Sequence, residues 1–490
     1  MTGDIVLAQP YEIAPAMMSG LTGPEQDTVG ALMQVWNDRL GRNVLRERYY
    51  RAWNRLRDLD IAIPPQLRNV ETCVGWAAKA VDMLAGRSVF DGFTFAGERN
   101  DGLDVLLDSQ AFSMTYEQAC VSELTHSCSF ITVTAGDVGA GEPPVILSAY
   151  PAVQGAALWD WRRKTTRAGM VVADFTQRYD GTCTPSQVNV FTADAVLVMR
   201  RAGNGRWVTE RLRHEVGRPL IEPLVYRPSL TRPFGKSRIS RTVMSIVDSA
   251  VRECLRTEVS SEFFTAPQRY LLGADEDTFG PDERRAAEKI KSYVSTLAVF
   301  TANENGDIPQ YGQLPQMSME PHVSYLQSLA KQFAGETGIP VSSLGIVQDN
   351  PASAEAMHAA TDDLVCEAEA LNRTNGVALR QVALMSLSLM AGKPIGALSP
   401  RLTAVKANFR SPLRPSLASQ ADAAQKIAAT VPEFAGTRTY WRMLGFTDAE
   451  IEEVLAETRR TRAQMSMAER ASRSLTGSGS APALRAGADG

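Results

Sequence analysis

Two helical patterns in this chain are too long for an ordinary compact domain, and they constrain its fold more than any other feature. Between Ile239 and Phe264 the residues Met244, Val247, Val251, Leu255, Val259 and Phe263 form one apolar stripe at helical spacing. At 1.5 Å per residue these 26 residues span about 39 Å. A longer pattern covers Ser353 to Ala391, where Met357, Thr361, Leu364, Ala368, Leu371, Asn375, Ala378, Val382, Met385 and Leu389 recur every three or four positions. Asn350-Pro351 or Ser353 can cap its start, and Gly376 is a candidate kink. Between the two lies a third helix, Glu320 to Thr337, closed by Gly338 and Pro340.

The remaining segments are shorter. Pro24 to Asp58 carries Leu32, Val35, Trp36, Leu40, Leu45, Tyr49 and Trp53 at helical intervals until Pro64 and Pro65 stop the pattern. Val70 to Leu84 and Phe112 to Thr125 read as further helices. From about Phe130 to Val225 the period changes to short β-rich runs separated by Gly, Pro, Asn and Asp, which predicts one mostly antiparallel sheet. Ala266 to Gln316 has Gly and Pro breaks, a short helix near Pro281 to Tyr293, and a hairpin turned at Asn305-Gly306 between Ala298–Thr301 and Ile308–Tyr311. Thr447-Asp-Ala-Glu450 is a capping box ahead of a helix to about Arg470. The last twenty residues, Ala471 to Gly490, are rich in Ser, Gly and Ala and are expected to be disordered.

Composition excludes several classes. With 490 residues, 44% hydrophobic and 22% charged, the chain has an ordinary water-soluble globular make-up, enough for two to four folding units or one elongated subunit. Its 51 basic and 55 acidic residues give a net charge of -4, which argues against gripping nucleic acid over the whole surface. The six cysteines, Cys73, Cys120, Cys128, Cys183, Cys254 and Cys366, contain no CxxC pair and read as buried free thiols. Four histidines, His126, His214, His322 and His358, leave little material for a metal site, and no metal or cofactor is expected. Met1 to Pro10 lacks a secretory pattern, and the longest apolar run, Gln381 to Gly392, is short of the roughly 20 residues of a spanning helix, so no membrane partner is expected.

Catalytic motifs fail on inspection. Gly235-Lys236-Ser237 resembles the end of a phosphate-binding loop, but Leu230 stands where the first Gly should be and no apolar strand leads in. His214-Glu215 starts an HExxH pattern that ends at Arg218. No GxSxG occurs, and the acidic pairs such as Asp362-Asp363 sit on predicted helices as solvated faces. One charge feature is less ordinary: Arg227, Arg232, Lys236, Arg238 and Arg241 lie within sixteen residues without an acid, at the entrance of the long helix. The helix dipole opposes cations there, so the cluster reads as a subunit interface, a solvated patch or a DNA contact.

Four segments taken in order resemble one family. They are Val70-Glu-Thr-Cys-Val-Gly-Trp76 with Ala80–Arg87 and Asp91-Gly-Phe93; Phe234-Gly-Lys-Ser-Arg-Ile-Ser-Arg241 with Pro267–Gly273; Thr337–Gly345; and Asn350-Pro-Ala-Ser-Ala-Glu-Ala356. In this order the chain resembles the portal proteins of tailed double-stranded DNA bacteriophages, in the siphophage branch common among actinobacteriophages. The resemblance implies an α+β portal fold, mainly helical, with a wing β-sheet, long stem helices, an α/β clip and a helical crown. It would divide the chain into wing (1–235), first stem helix (236–265), clip (266–317), second stem helix (318–338), channel loop (339–352), long kinked helix with the rest of the wing (353–414), crown (415–470) and tail (471–490). The implied function is a non-enzymatic dodecameric ring at one capsid vertex, with Val347, Gln348, Asp349 and Asn350 in the channel loop. The implied partners are double-stranded DNA, terminase, the major capsid and scaffold proteins, and head-completion or tail adaptor proteins. Assembly would occur in the host cytoplasm. The competing readings are another head-tail connector or minor capsid protein, and a nucleotide-dependent enzyme using Gly235-Lys236-Ser237.

Overall fold

The computed structural model describes residues 9–53, 72–95, 101–177, 183–265, 269–272, 310–313, 318–346, 354–413, 417–446 and 450–461. The expected helix at Pro281–Tyr293, the Asn305-Gly306 turn, the Thr447 capping residue, Val347–Asn350 and the tail from Ala471 lie outside the described residues. The chain forms two compact units, Met1–Pro412 and Leu413–Gly490.

In the first unit, helix α1 (Gly23–Tyr50) starts where the Thr22 main-chain N–H and hydroxyl both donate to the Glu25 carboxylate, at 2.7 and 2.8 Å. Its buried stripe of Val29, Leu32, Met33, Trp36 and Leu40 packs into a core shared with strands of a large sheet. Helices α2 (Trp76–Ala85), α3 (Asp101–Ser109) and α4 (Phe112–His126) follow; α2 begins after Gly75, later than the expected Val70.

The expected single sheet is two. Strands β1 (Met18–Ser19), β5 (Gly155–Asp160), β6 (Thr165–Gln177), β7 (Cys183–Phe191), β8 (Ala195–Arg201) and β9 (Trp207–Arg213) form a six-stranded sheet in the order β1-β9-β8-β7-β6-β5. All its pairings are antiparallel except the two-residue β1–β9 contact. Strands β3 (Cys128–Ala135), β4 (Val145–Pro151) and β10 (Ile221–Val225) form a separate antiparallel sheet, β10-β3-β4. Strand β3 reads Ser-Phe-Ile-Thr-Val with nearly every residue buried, so alternation could not separate it from the outer sheet. Two glycines let the sheets approach: a Cβ on Gly155 would meet Phe130 at 2.5 Å, and one on Gly169 would meet Ile221 at 2.7 Å. A further antiparallel pair, β2 (Phe90–Phe95) with β13 (Val405–Phe409), stacks Phe90 against Phe93, Phe112 and Phe409 at 5.0–6.0 Å.

The long helices appear as expected. Helix α5 covers Arg241–Thr265, α6 covers Glu320–Thr337 and α7 covers Ala354–Ala391, uninterrupted through Gly376. The buried face of α5 is Val243, Ile246, Val247, Ala250 and Val251, rotated from the stripe read in sequence; Met244, Leu255 and Val259 are half-buried. Helices α5 and α6 run antiparallel: Ser240 at the head of α5 reaches Glu336 near the end of α6 at 3.2 Å, while Ser260 and Glu253 reach His322 at the start of α6, at 3.2 and 2.7 Å. The chain leaves and returns at the far end through strands β11 (Arg269–Leu272) and β12 (Gln310–Gln313), which pair antiparallel.

The second unit contains helices α8 (Leu417–Thr430), α9 (Arg438–Met443) and α10 (450–461). Edge-on ring contacts of 5.4–6.0 Å link Phe434, Tyr440, Trp441 and Phe446, and Ala424 and Ile451 are buried.

Candidate functional site

The long helices meet at Arg238. Strand β10 ends at Val225, and the chain then turns at Ser229–Arg232 and again at Gly235. Gly235 has φ +64° and a Cβ there would lie 2.1 Å from the Tyr226 carbonyl oxygen, so glycine is required by space as well as by conformation. The Ser237 hydroxyl donates to the Thr125 carbonyl at 2.5 Å and accepts from Ile239 N–H at 2.9 Å. Ser240 then caps α5, accepting from Val243 N–H at 3.1 Å. Ser237 is buried and four residues ahead of the first helical residue, Arg241, so Gly235-Lys236-Ser237 does not form a phosphate loop opening a helix.

Arg238 is itself buried. Its Nε donates to the Ala80 carbonyl at 2.7 Å and its Nη2 to the Thr337 carbonyl at 2.7 Å. Nη1 donates to the Tyr226 hydroxyl at 3.2 Å and pairs with Glu367 of α7. Its main-chain N–H donates to Leu124 O at 2.8 Å. One guanidinium therefore ties α2, the end of α6 and α7 to the head of α5, with the fork geometry that suits Arg and not Lys. Tyr226 donates its hydroxyl to Glu367, and burial pushes that phenol up to about 12, with Arg238 opposing and Glu367 reinforcing the rise. Arg227 also pairs with Glu367, at 2.7 Å from a more exposed position.

A second polar cluster lies under α7. Asn375 Nδ2 donates to Glu123 at 2.8 Å and to the Tyr116 hydroxyl at 3.1 Å, and Ser88 bridges Tyr116 and Asn372 at 2.7 and 2.6 Å. Complete burial pushes Glu123 up to about 8, only partly opposed by the Asn375 hydrogen bond. Glu123 Oε1 and Asn375 Oδ1 have no hydrogen-bond partner among the described residues. A proton on Glu123 adds a donor to those of Asn375, Ser88 and Tyr116 in this cluster.

The five cations read as one cluster are therefore divided. Arg238 and Arg227 belong to the Glu367 knot, Arg232 and Lys236 face a cavity beside α1, and Arg241 is exposed in the first turn of α5. Arg238 corrects the reading of an outward-facing cluster, because its acidic partner, Glu367, comes from a helix more than a hundred residues later. The knot has no local signature in sequence; only the helical stripe that places Glu367 beside Leu364 and Ala368 hints that it faces inward. All six cysteines are free, but Cys73 and Cys366 are exposed, against the expectation of burial. Among the described residues no group of His, Cys, Asp and Glu could hold a metal, and no helix is long and apolar enough to cross a membrane.

The family model for phage portal proteins of the SPP1 Gp6-like type matches residues 31–464. The chain belongs to this portal protein family. The portal protein of Mycobacterium phage D29 is 26% identical over 414 residues, covering 83% of each chain. That of Mycobacterium phage L5 is 26% identical over 387 residues, 77% of each. Among solved structures, a chain from the virion of a native gene transfer agent aligns with TM-score 0.43 at 16% identity, over 83% of this chain and 93% of the other. A chain from the neck of the native gene transfer agent particle aligns with TM-score 0.42 at 13% identity, over 78% and 89%. Members of this portal family are structural virion components and not enzymes, and the mixed helix-and-sheet architecture is the one the portal resemblance implied.

Proposed function

We propose that twelve copies of this portal subunit close into a ring at one capsid vertex, through which the terminase motor packages double-stranded DNA and the genome later leaves. The observation that carries this reading is the antiparallel α5–α6 hairpin, followed by the longest helix, α7. In this reading α5 and α6 are the stem, residues 266–317 the clip facing terminase and later the head-completion proteins, and the two sheets the wing facing coat and scaffold. Residues 339–352, with Val347, Gln348, Asp349 and Asn350, form the channel loop, and residues 415–470 the crown. A net charge of -4 supports a conduit, since a lining that neutralised many phosphates would release counterions, bind DNA and retard its passage. Assembly from the host cytoplasm follows from the same reading.

Light scattering and negative-stain imaging of the purified chain test it. Twelve copies of 53.3 kDa make a closed particle of about 640 kDa. Monomers or dimers under assembly-permissive conditions, with no ring in any image, would refute the proposal.

A further inference from the structure

Beside α1, between the edge of the six-stranded sheet and the turn that precedes α5, lies a cavity of about 710 Å³. Six cationic side chains line it: Arg39, Arg42 and Arg46 from one face of α1, Arg167 from β6, and Arg232 and Lys236 from the turn. Among the described residues no carboxylate does. Of the acids close to the lining residues in sequence, Glu47 is engaged with Arg51 and His126 at 2.7 and 3.1 Å and Asp160 with the N–H groups of Arg162 and Arg163 at 2.9 and 3.0 Å, while Asp38, beside Arg39 on α1, is exposed and does not line the cavity. Trp159 and Trp161 stand at the same cavity, and Trp159 packs edge-on against Phe234 at 5.9 Å. Trp161 is 63% exposed.

The charges are unbalanced as the subunit stands. Arg46 donates Nη1 to the His126 carbonyl at 2.6 Å, but its Nε is buried with no partner among the described residues. Arg42 and Arg39, four and seven residues ahead of it on one helix, add repulsion. Such a concentration of one sign in a concave, partly apolar site focuses the field on an anion. The Arg-to-Lys ratio carries no weight here, because the whole chain favours Arg.

We propose that this cavity binds a nucleotide, its phosphates against the α1 arginines and Arg167 and its base against Trp159 and Trp161. The volume falls within the ~300–1,000 Å³ of small-ligand pockets, whereas a duplex, whose major groove alone is about 12 Å wide, cannot enter it. An acidic peptide offers at most one carboxylate per ~3.3 Å of extended chain, and each side chain needs its own room. Consecutive phosphates share bridging oxygens and bring the same charge into less space. The aromatic side chains add a stacking platform that a base of any identity can use. The nucleotide can be a free nucleoside polyphosphate or part of a single strand; both present the same phosphates and base.

Isothermal titration calorimetry on the full-length chain separates these sources, using ATP, a short thymidine oligonucleotide and a poly-glutamate peptide. Saturable binding of ATP or the oligonucleotide is expected, weakened roughly tenfold or more by the exposed substitutions Arg42→Glu and Arg167→Glu together, and also weakened by Trp161→Ala. Arg48→Glu, on α1 but outside the cavity, should leave it unchanged. A tighter ATP isotherm identifies a free nucleotide and a tighter oligonucleotide isotherm a strand. Absence of binding by both overturns the proposal, as does equal loss in Arg48→Glu or poly-glutamate binding as tightly as either. The titration reads binding per subunit, so its outcome is separate from that of the ring experiment.

Discussion

Around the six-stranded sheet, α1 buries Val29, Leu32, Met33, Trp36 and Leu40, and its enclosed polar groups bond main-chain carbonyls: Trp36 Nε1 to Val153 O at 2.9 Å, Asn43 Nδ2 to Ala152 O at 3.1 Å. Around α5, α6 and α7 the core instead encloses the ionisable groups Glu123, Arg238 and Glu253, each bonded to a side chain on a different helix. Apolar burial is non-directional and tolerates small slips of one surface over another. A buried ion pair adds little net stability over a well-packed apolar pair, but losing one partner is costly, so it penalises misalignment. The sheet body is thus held by area, while the helical body is held in one register by charges. Register matters most where long helices must keep their alignment along their whole length.

Removing Arg238 should give the largest effect. Arg238→Ala leaves Glu367, the Tyr226 hydroxyl and the Ala80 and Thr337 carbonyls short of a donor, an expected loss of about 3–5 kcal/mol in thermal or denaturant unfolding. Adding Glu367→Gln should recover the charge component and leave the main-chain component, because the two carbonyls remain unpaired. A single mutant that unfolds like wild type would end the contrast between the two bodies.

Glu123 comes next and gives the contrast a pH axis. Its folded carboxyl titrates near 8, above the unfolded value, so its contribution is fully present below about pH 4.5 and is lost as pH rises through the folded value. Relative to acid, this amounts to about 3 kcal/mol at pH 7. Glu123→Gln should flatten the stability profile between about pH 4.5 and 8 and raise the melting temperature at its alkaline end. Substitutions at Trp36, in the sheet body, should shift the same profile without changing its slope. If Glu123→Gln keeps the wild-type slope, the carboxyl is not the titrating group.

How much of this was legible in sequence follows from the same division. The long helices follow directly from three- and four-residue spacing, and α6 is read to its ends because Gly338, at φ +66°, closes it. The split into two sheets was not legible, since β3 is buried on both faces and shows no alternation to assign it. Arg39, Arg42 and Arg46 of α1 give no signal in sequence, because basic residues at helical spacing look like a solvated face until the turn at 231–236 closes over them. Likewise Arg238 reads as part of a cationic cluster, because the nearby Arg232, Lys236 and Arg241 are exposed cations and its partner Glu367 is remote in sequence. Contacts set by long-range packing leave no local periodicity.

His322 is expected to give the smallest effect and to localise the comparison best. Its Nδ1 lies 2.7 Å from Glu253 Oε1 and its Nε2 3.2 Å from the Ser260 hydroxyl, so one ring bridges two turns of α5 to the first turn of α6. Arg256 also approaches Glu253, at 3.5 Å, but it lies on the same helix and cannot hold the two helices together. His322→Ala should therefore cost about 1–2 kcal/mol, and amide exchange should quicken in Arg241–Thr265 and Glu320–Thr337 while the six-stranded sheet keeps its protection. His322→Gln, which keeps a donor on a side chain of similar reach, should recover part of the loss. Exchange that quickens equally in both bodies would mean that the hairpin does not open on its own, and that the sheet and the helices unfold as one cooperative block.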